Sequence, residues 1–532
     1  MTDARRTVPS DRNPKRLSRF VCIGPVGRAL RASRSNPPCG SHGVLAPPRS
    51  ARGAFKTALA IAAAGFLSLG SARAGSVTGA DWVVRFNLPD QTTSYKTVGP
   101  DEFVIRDAWL ARIDALQKGD WACLSTYTFS GPSESVGAAG PILGAVSNAL
   151  ARGASVGFVA GYSVDVASNY WPGCSLKSLS SRKSNPLKLS RAPSGGIMHD
   201  KLGVFWYKSR KERWVLSGSW NYTGGASSQQ WNILAEIRND KLAAAVSNEL
   251  SQMLGGLFHA NPAKSHAPDG TRFRLSGAAA DSWVRFAPYP DGAYGGDNAL
   301  RDITNAIAAA TTDIYFSLNK LTRADVVDQL VRACNRGVTV HGVIPKSDRL
   351  VPADDSYAAY TNLLHSGAYT TANRVRLYDA YYAADRASYD NNNRDLVHTK
   401  YMVIDPLGAR PLVIHGSANW TASALVYTSA NDENVLFLSH PGIAAAFLAQ
   451  FAAETDGLSP RLLSVAPRKG GVLDIAYWLP PLPAASLPKS LAASPSLDRP
   501  RWTALGGLDR TPGTHALSVA APTNAAQFLR LQ

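Results

Sequence analysis

Cysteine and long apolar runs are both scarce in this chain. Only five cysteines occur among its 532 residues, and their spacing fits no zinc motif, which excludes a disulfide-rich scaffold or a structural zinc module. The one long apolar run, Ala58–Gly70, is too short to span a bilayer, which takes about 20 apolar residues. With 45% hydrophobic residues, the chain has enough apolar side chains for two or three ordinary cores. We therefore expect a globular, multidomain protein.

The segment before Gly75 has the composition of an export signal. Basic residues precede the apolar run, and the small-residue sequence 71–74 follows it. This order predicts a secretory signal cleaved after Ala74, so that residues 1–74 form an extension plus signal peptide and the protein reaches the periplasm or the medium. A buried helix is the alternative interpretation of the run. Because a long Arg-rich stretch precedes the signal, we expect translation to start at a non-Met codon near Val44 or Leu45.

Export changes the charge balance and the number of cysteines. Thirteen of the 56 basic residues but only two of the 39 acidic ones precede Gly75, so the exported chain carries about +6 instead of +17. The formal charge is therefore weak evidence for a nucleic-acid partner. Three cysteines remain: Cys123, Cys174 and Cys334. A disulfide between Cys123 and Cys174 is conceivable in an oxidising compartment, and buried free thiols are the alternative.

The chain contains the same order of motifs twice. WVVRFNLPD begins at Trp82 and WVRFAPYPD at Trp283, and each is followed by an apolar strand, a helical pattern and a second strand. IMHDKLGVFWY with WVLSGSWNYT then corresponds to LVHTKYMVID with LVIHGSANWT. The repeat predicts two homologous α/β lobes at 77–265 and 275–456. The Pro- and Ser-rich remainder, 458–532, predicts a small β-sandwich-like module, similar to fibronectin type III.

Each repeat supplies one set of phosphate-binding side chains. His199 and Lys201 lie two residues apart, as do His398 and Lys400, and such pairs project from the same face of a strand. The next strand of each repeat ends in Gly-Ser-x-Asn, which comprises Gly218, Ser219 and Asn221 in the first copy and Gly416, Ser417 and Asn419 in the second. Imidazole, ammonium, hydroxyl and amide groups supplied twice can surround a phosphate without a metal. We therefore expect one phosphate site built from both repeats.

This constellation resembles the phospholipase D superfamily, whose signature is H-x-K-x4-D followed by G-S-x-N. The second copy is complete, with Asp405 in the motif and Glu433 placed like the downstream carboxylate of that family. The first copy has Trp206 in place of the Asp and Trp231 at the Glu position, although Glu236 is close by. The resemblance implies two packed α-β-α sandwich lobes and no metal or other cofactor. It implies catalytic roles for eight residues, His199, Lys201, Asn221, His398, Lys400, Asn419, Asp405 and Glu433, and phosphate binding by Ser219, Ser417, Gly218 and Gly416.

The resemblance also implies a two-step mechanism through a phosphohistidine. One His attacks phosphorus, and the other protonates the leaving oxygen and then activates water or an alcohol. Family members commonly use the first-lobe His, so we expect His199 to be the nucleophile and His398 the acid and base. We also expect Glu433 to lie beside His398 and favour its charged form, and His199, without a carboxylate, to stay neutral.

Three functions remain open. The leading hypothesis is an exported phospholipase D, a monomer with peripheral membrane contact, that hydrolyses or exchanges phospholipid headgroups. The second is a metal-independent endonuclease, because IMHDK and GSWNYT look like motifs of the small bacterial nucleases of the superfamily. The third is a degenerate binding protein, for which Trp206 and Trp231 are the evidence. The basic segment 164–193 and the Tyr-containing segment 379–395 are expected to border the cleft and could contact lipid or nucleic acid.

Overall fold

The fold is described by a computed structural model. It describes residues 21–23, 75–87, 102–131, 137–259, 261, 263–267, 270–289, 296–345, 356–370, 374–380, 397–426, 431–456, 461–468, 472–479, 490–494, 503–509, 513–520 and 527–531. The apolar run Ala58–Gly70 and most of the segment 379–395 lie outside the described residues, so the expectations attached to them stay predictions.

The structure contains 24 described strands, which form the sheets of both lobes and most of the described C-terminal part. They are β1 Val21–Ile23, β2 Gly75–Thr78, β3 Trp82–Asn87, β4 Trp121–Thr126, β5 Ser155–Ala160, β6 Lys188–Arg191, β7 Ile197–Met198, β8 Leu202–Tyr207, β9 Glu212–Gly218, β10 Asn232–Arg238, β11 Thr271–Phe273, β12 Ser282–Ala287, β13 Asp313–Leu318, β14 Thr339–Pro345, β15 Val375–Ala380, β16 Lys400–Ile404, β17 Leu412–Gly416, β18 Asn431–Leu438, β19 Arg461–Arg468, β20 Val472–Leu479, β21 Ser490–Ser494, β22 Thr503–Gly507, β23 Gly513–Ala520 and β24 Gln527–Leu531.

Helices follow the strands in matching order in the two lobes. In the first lobe they are Val104–Asp114, Ala139–Ala151, Leu176–Ser180, Gly224–Ser228 and Asp240–Leu254. In the second lobe they are Ala299–Ala309, Ala324–Asn335, Tyr357–His365, Gly367–Thr370, Ala422–Leu425 and Pro441–Asp456. No helix among the described residues is both long and apolar enough to cross a membrane.

The two large sheets have the same topology. The first has the strand order β2-β3-β10-β9-β8-β4-β5-β6 and the second the order β11-β12-β18-β17-β16-β13-β14-β15. In each, the last three strands run parallel and the others pair antiparallel. Equivalent strands occupy equivalent places, so the predicted pair of homologous α/β lobes is confirmed. The boundaries given for the domains stay a prediction, since the strands fix only their interiors.

The lobes pack against each other through a shared apolar core. One core lies on the outer face of each sheet, and a third contains residues of both lobes, among them Trp82 and Val246 from the first and Phe286 and Phe447 from the second. Burial of this apolar surface, at about 25 cal/mol per Å², is the main force that holds the lobes together. The packing brings equivalent strand ends of the two lobes face to face.

The C-terminal residues form two small antiparallel sheets. One contains β19, β20 and β23, and the other contains β21, β22 and β24. Strand β1, from the segment assigned to the extension, pairs with β24. This confirms a β-rich module, while its likeness to fibronectin type III stays a prediction.

The three cysteines of the lobes are free thiols. Cys123 and Cys334 are buried and Cys174 is half-buried. The conceivable Cys123–Cys174 disulfide is therefore absent, and Cys123 instead packs in the shared core as a small apolar side chain. Burial raises the pKa of the Cys123 thiol to about 12, which keeps it protonated and inert.

Candidate active site

Both His-x-Lys motifs lie where the two lobes meet, and each crosses to the opposite lobe. Strand β7 pairs in parallel with β18, and the His199 N–H donates to the Asp432 carbonyl at 2.9 Å. In the same way Val397 bridges to Trp231, and the His398 N–H donates to the Trp231 carbonyl at 3.1 Å. The histidines therefore precede β8 and β16 in short connecting segments, and each is held by the backbone of the other lobe.

His199 is held by a carboxylate from the second lobe. Its Nδ1 lies 2.9 Å from Glu433, which is fully buried and also accepts the Ser417 hydroxyl at 2.6 Å. This bond favours the tautomer with the proton on Nδ1, which leaves the lone pair on Nε2. Burial alone would raise the pKa of Glu433, but His199, Lys201 and Ser417 outweigh it and hold that pKa below its usual value.

His398 is held by an amide from the first lobe. Its Nδ1 lies 2.9 Å from the Asn232 Oδ1, which also accepts the Ser219 hydroxyl at 2.9 Å. The Asn232 Nδ2 donates to the Ala226 carbonyl at 2.8 Å, and this contact fixes which end of the amide faces His398. Because an amide oxygen only accepts, the His398 Nδ1 must carry a proton. Both imidazoles thus have the same tautomer, but the Nδ1 partner of His199 is a carboxylate and that of His398 is an amide.

The sequence-based placement of the downstream carboxylates was wrong in two respects. Glu433 lies beside His199 and not beside His398, because each lobe holds the histidine of the other. The first-lobe counterpart of Glu433 is Asn232 and not Trp231, since Ser219 and Ser417 donate to these two residues in equivalent bonds. Trp231 is buried in the shared core, and Glu236 forms a separate ion cluster with two arginines of the first lobe, Arg85 and Arg112.

The Gly-Ser pairs contact the groups that hold the two histidines. The hydroxyls of Ser219 and Ser417 are buried and are used by Asn232 and Glu433. A Cβ on Gly218 would lie 2.1 Å from the Ile233 carbonyl, and one on Gly416 would lie 2.2 Å from the Asn434 carbonyl. These glycines therefore allow neighbouring strands to approach. The two serines thus position Asn232 and Glu433, and phosphate binding by these four residues stays a prediction.

Two buried lysines lie beside the histidines. The Lys201 and Lys400 Nζ atoms donate to the carbonyls of His199 and His398, each at 2.6 Å. Burial lowers the pKa of Lys201 to about 7, although Glu433 and Asp200 oppose the shift. Burial and the neighbouring Lys201 lower the pKa of Lys400 well below its usual value. The site is therefore poised to gain charge when an anion enters it.

The histidines respond to the same environment. Burial lowers the pKa of His199, and the Glu433 carboxylate opposes the shift. The pKa of His398 falls well below its usual value because of burial and the neighbouring Lys400 and Lys201. Both imidazoles are thus neutral in the free site at pH 7, which suits His199 as a nucleophile.

Asn221 and Asn419 follow the Gly-Ser pairs. Their Oδ1 atoms are buried and accept no hydrogen bond from any described residue. These amides are therefore not used to hold the fold, which agrees with their prediction as ligand-binding residues without testing it.

Asp405 does not join the site. It lies five residues beyond Lys400, about 16 Å along an extended strand, and accepts the backbone N–H groups of Thr311 and Thr312 at 2.9 and 2.8 Å. It thereby clamps the end of β16 to the start of β13. The carboxylate is therefore a structural clamp between two strands, and the catalytic role that the resemblance implied for Asp405 stays a prediction.

The first lobe makes the same clamp with a different residue. Asp120, directly before β4, accepts the Lys208 N–H at 2.8 Å and the Gln117 N–H at 2.9 Å, and Lys208 directly follows β8. The carboxylate of the clamp therefore lies at the start of β4 in the first lobe, whereas it lies at the end of β16 in the second. Trp206 has no part in this clamp. Its side chain is 36% exposed, and the guanidinium carbon of Arg213 lies 5.0 Å from its ring centroid. The loss of the motif Asp therefore does not mark a degenerate lobe.

Tyr127 is a site residue that the sequence analysis missed. Its ring centroid lies 5.2 Å from that of His199 in a T-shaped contact, and 5.5 Å from the Lys201 Nζ. The equivalent residue of the second lobe, Asn319, donates to the Val397 carbonyl at 2.7 Å. Because the search relied on repeated motifs, an aromatic residue present in only one copy gave no signal.

Anion binding to this site is expected to take up protons. At pH 8 the pH is above the pKa of Lys201, so its amine is mostly neutral. A bound dianion favours the protonated, charged form of this amine. Because Lys400 and His398 also have lowered pKa values, we expect uptake of at least one proton per sulfate, and an affinity that falls at least about tenfold per pH unit above pH 8. Calorimetric titration with sulfate in two buffers of different ionisation enthalpy measures this number. Binding with equal heat in both buffers would contradict it, and Lys201→Met should reduce the uptake.

No group of three or more His, Cys, Asp and Glu side chains in the described part of the chain is arranged to hold a metal ion.

Comparison with known proteins places this geometry in a family. A family model described as "Cardiolipin synthase, PLD-like domain" matches residues 117–254 and 303–455, more than half of the chain and both lobes. No curated protein matches the chain.

Several solved structures are similar at low identity. A phosphatidylserine synthase from Haemophilus influenzae is 12% identical, with a TM-score of 0.47 over 74% of this chain and 90% of the other. A polyphosphate kinase from Porphyromonas gingivalis is 14% identical, with a TM-score of 0.43 over 70% of this chain and only 50% of the kinase. Nuc from Salmonella typhimurium, a phospholipase D family member, is 26% identical, with a TM-score of 0.25 over 33% of this chain and 95% of Nuc.

The family match covers both lobes, and the paired His-x-Lys motifs meet between them as the sequence resemblance implied. The chain therefore belongs to the phospholipase D superfamily, whose members are enzymes that process phosphodiesters.

Proposed function

We propose that this protein is an exported phospholipase D that hydrolyses the headgroup-side phosphodiester of phospholipids through a phosphohistidine on His199. The observation that supports a phosphodiester reaction is the arrangement of two imidazoles, one from each lobe, both held through Nδ1, beside two buried lysines. Such a site has a nucleophile, a proton carrier and cations for the nonbridging oxygens.

The reaction proceeds in two balanced steps. The His199 Nε2 attacks phosphorus and the bond to the headgroup oxygen breaks, while His398, protonated at Nε2 when the anionic substrate is bound, gives its proton to that oxygen. Water then attacks the phosphohistidine; His398 takes its proton, and His199 leaves as a neutral imidazole. Lys201 and Lys400 stabilise the charge that develops on the nonbridging oxygens in both steps.

A lipid substrate is favoured over nucleic acid by charge. The exported chain carries only about +6, and proteins that track a nucleic-acid backbone usually present a strongly basic stripe. The competing endonuclease function is favoured by the likeness of IMHDK and GSWNYT to the motifs of small nucleases. The function as a degenerate binding protein loses its main support, because Asp120 replaces the missing clamp and Trp231 is not the counterpart of Glu433.

Incubation with the two substrate classes tests the proposal. Protein comprising residues 75–532 is mixed in EDTA with phospholipid micelles, and separately with single-stranded and double-stranded DNA. We expect headgroup release by the wild type and none by His199→Ala or His398→Ala. Cleavage of DNA alone, with steep loss of rate as salt increases, would establish the endonuclease instead. No turnover of either class would leave a binding protein.

Export is proposed on the order of basic, apolar and small residues before Gly75. The whole gene is expressed, and the protein from the periplasm or medium is sequenced from its N-terminus. We expect this protein to begin at Gly75. A protein that stays in the cytoplasm with residues 1–74 attached would refute export.

A further inference from the structure

A second set of buried charges lies directly behind His199. It consists of Asp432, Lys264, His259, Glu249 and His266. The Lys264 Nζ lies 2.6 Å from Asp432 and 2.5 Å from Glu249, and the His266 Nε2 lies 2.6 Å from Glu249. Both carboxylates are fully buried. Removing one partner of such a buried pair leaves the other charge without compensation, so these contacts are expected to fix the positions of the groups that form them.

The cluster joins three parts of the chain. Glu249 lies on the last helix of the first lobe, and Asp432 lies on β18 of the second lobe. His259, Lys264 and His266 belong to the segment between that helix and β11, which connects the lobes. Lys264 therefore ties the connecting segment to both lobes at once, and the two carboxylates raise its pKa to about 12 although burial opposes them.

Asp432 has a double role. Its side chain accepts Lys264 and also the His259 backbone N–H at 2.8 Å, and its carbonyl accepts the His199 N–H at 2.9 Å. The next residue, Glu433, holds the His199 ring. The backbone at Asp432 thus fixes both contacts of His199 with the second lobe, and the charge cluster fixes this backbone.

The described residues around His398 form no such cluster. There the residue equivalent to Asp432 is Trp231, whose carbonyl accepts the His398 N–H and whose ring packs in the shared apolar core. Nonpolar packing therefore replaces the ionic contacts beside His398. Among the described residues, these ionic contacts lie beside the histidine that the proposed mechanism uses as nucleophile, where a small displacement would slow in-line attack.

We propose that Lys264 and His259, from the segment connecting the lobes, are positioning residues for His199 that act through Asp432. The assignment of a kinetic effect rests on the function proposed above. The connecting segment is then part of the catalytic apparatus as well as a tether, and the reactivity of His199 depends on how the lobes are joined.

Asp432→Asn tests the proposal with little change in volume. It keeps an acceptor for the His259 N–H but removes the charge that Lys264 binds. We expect kcat to fall about tenfold with KM within about twofold, because misplacement of a nucleophile slows attack more than binding. The NMR signal of the His199 Nδ1 proton should broaden, since its contact with Glu433 loosens. Lys264→Met should lower kcat by a similar factor, and the double variant should add little to either.

Glu236→Gln is the matched control. Glu236 is also buried and paired with two cations, Arg85 and Arg112, but it touches neither histidine. Its variant should lose thermal stability, with kcat within about twofold of the wild type. An equal fall of kcat in Glu236→Gln and Asp432→Asn, or an unchanged kcat and His199 signal in Asp432→Asn, would overturn the proposal. If the wild type turns over neither substrate class, the proposed function fails, and the His199 signal still decides whether Asp432 positions the ring.

Discussion

Replacing His398 by alanine is expected to turn the enzyme into a single-turnover reagent. With a p-nitrophenyl phosphodiester the leaving group needs no proton, so His199 can still attack, while water can no longer be activated. We expect a burst of one equivalent of p-nitrophenolate followed by turnover at least about 10³-fold slower than in the wild type. Intact-protein mass spectrometry should show a covalent adduct located on His199.

His199→Ala provides the complementary result. Without the nucleophile there should be neither burst nor adduct, and the rate should fall by at least about 10⁴-fold. A burst in His199→Ala with the adduct on His398 would reverse the assignment of roles. His341→Ala is a matched control, because His341 is a partly buried histidine that stacks on Tyr315 and should leave kcat within about twofold.

Glu433→Gln is expected to lower kcat by about 10³-fold with little change in fold. The substitution keeps the shape but removes the charge that holds the Nδ1 proton of His199, and a Gln amide can present a donor that forces the other tautomer. It also removes the carboxylate that supports the charged forms of Lys201 and Lys400. Steady-state kinetics and the rate of adduct formation in a Glu433→Gln/His398→Ala background measure the loss. A loss of less than about tenfold would contradict the role given to this carboxylate.

The pH dependence of Glu433 has a definite sign. Its pKa in the folded protein is lowered, so its contribution to the free energy of unfolding is present above its unfolded pKa of about 4.3 and is lost as the pH falls through the lower folded value. In Glu433→Gln this part of the acid destabilisation should be missing.

Asn232→Asp is the opposite change in the other half of the site. A carboxylate 2.9 Å from the His398 Nδ1 should raise the pKa of His398. Because the acid role needs protonated His398, kcat/KM falls as the pH rises through that pKa, and the alkaline limb should move to higher pH. An unchanged limb would mean that His398 does not supply the proton.

The sequence was sufficient to predict the lobes and the pair of histidines. Duplication shows in a single chain, and a motif that occurs twice at an offset of 199 residues between His199 and His398 identifies equivalent positions without a structure. The order of strands and helices followed from hydrophobic periodicity, and both sheets confirm it.

Contacts between the lobes could not be predicted in the same way. Spacing along one repeat suggested that Glu433 serves its own lobe, whereas packing gives it to His199. Asn221 and Asn232 are eleven residues apart, but Asn419 and Glu433 are fourteen apart. Because of this difference, spacing along the sequence matched Glu433 with Trp231 instead of Asn232. The clamps at Asp405 and Asp120 show why a motif residue need not be catalytic: its position follows from the ends of strands.

Each lobe supplies the hydrogen-bond acceptor for the histidine of the other lobe, and this has a consequence for how the gene evolves. A substitution at Asn232 acts on the histidine of the other half of the gene, and so does one at Glu433. The two halves must therefore evolve as partners, although duplication made them separate copies free to diverge. A gene fragment that encodes one half would give an inactive protein even if its own motifs were intact. Activity would require two copies to dimerise, so that each copy supplied the acceptor for the histidine of the other.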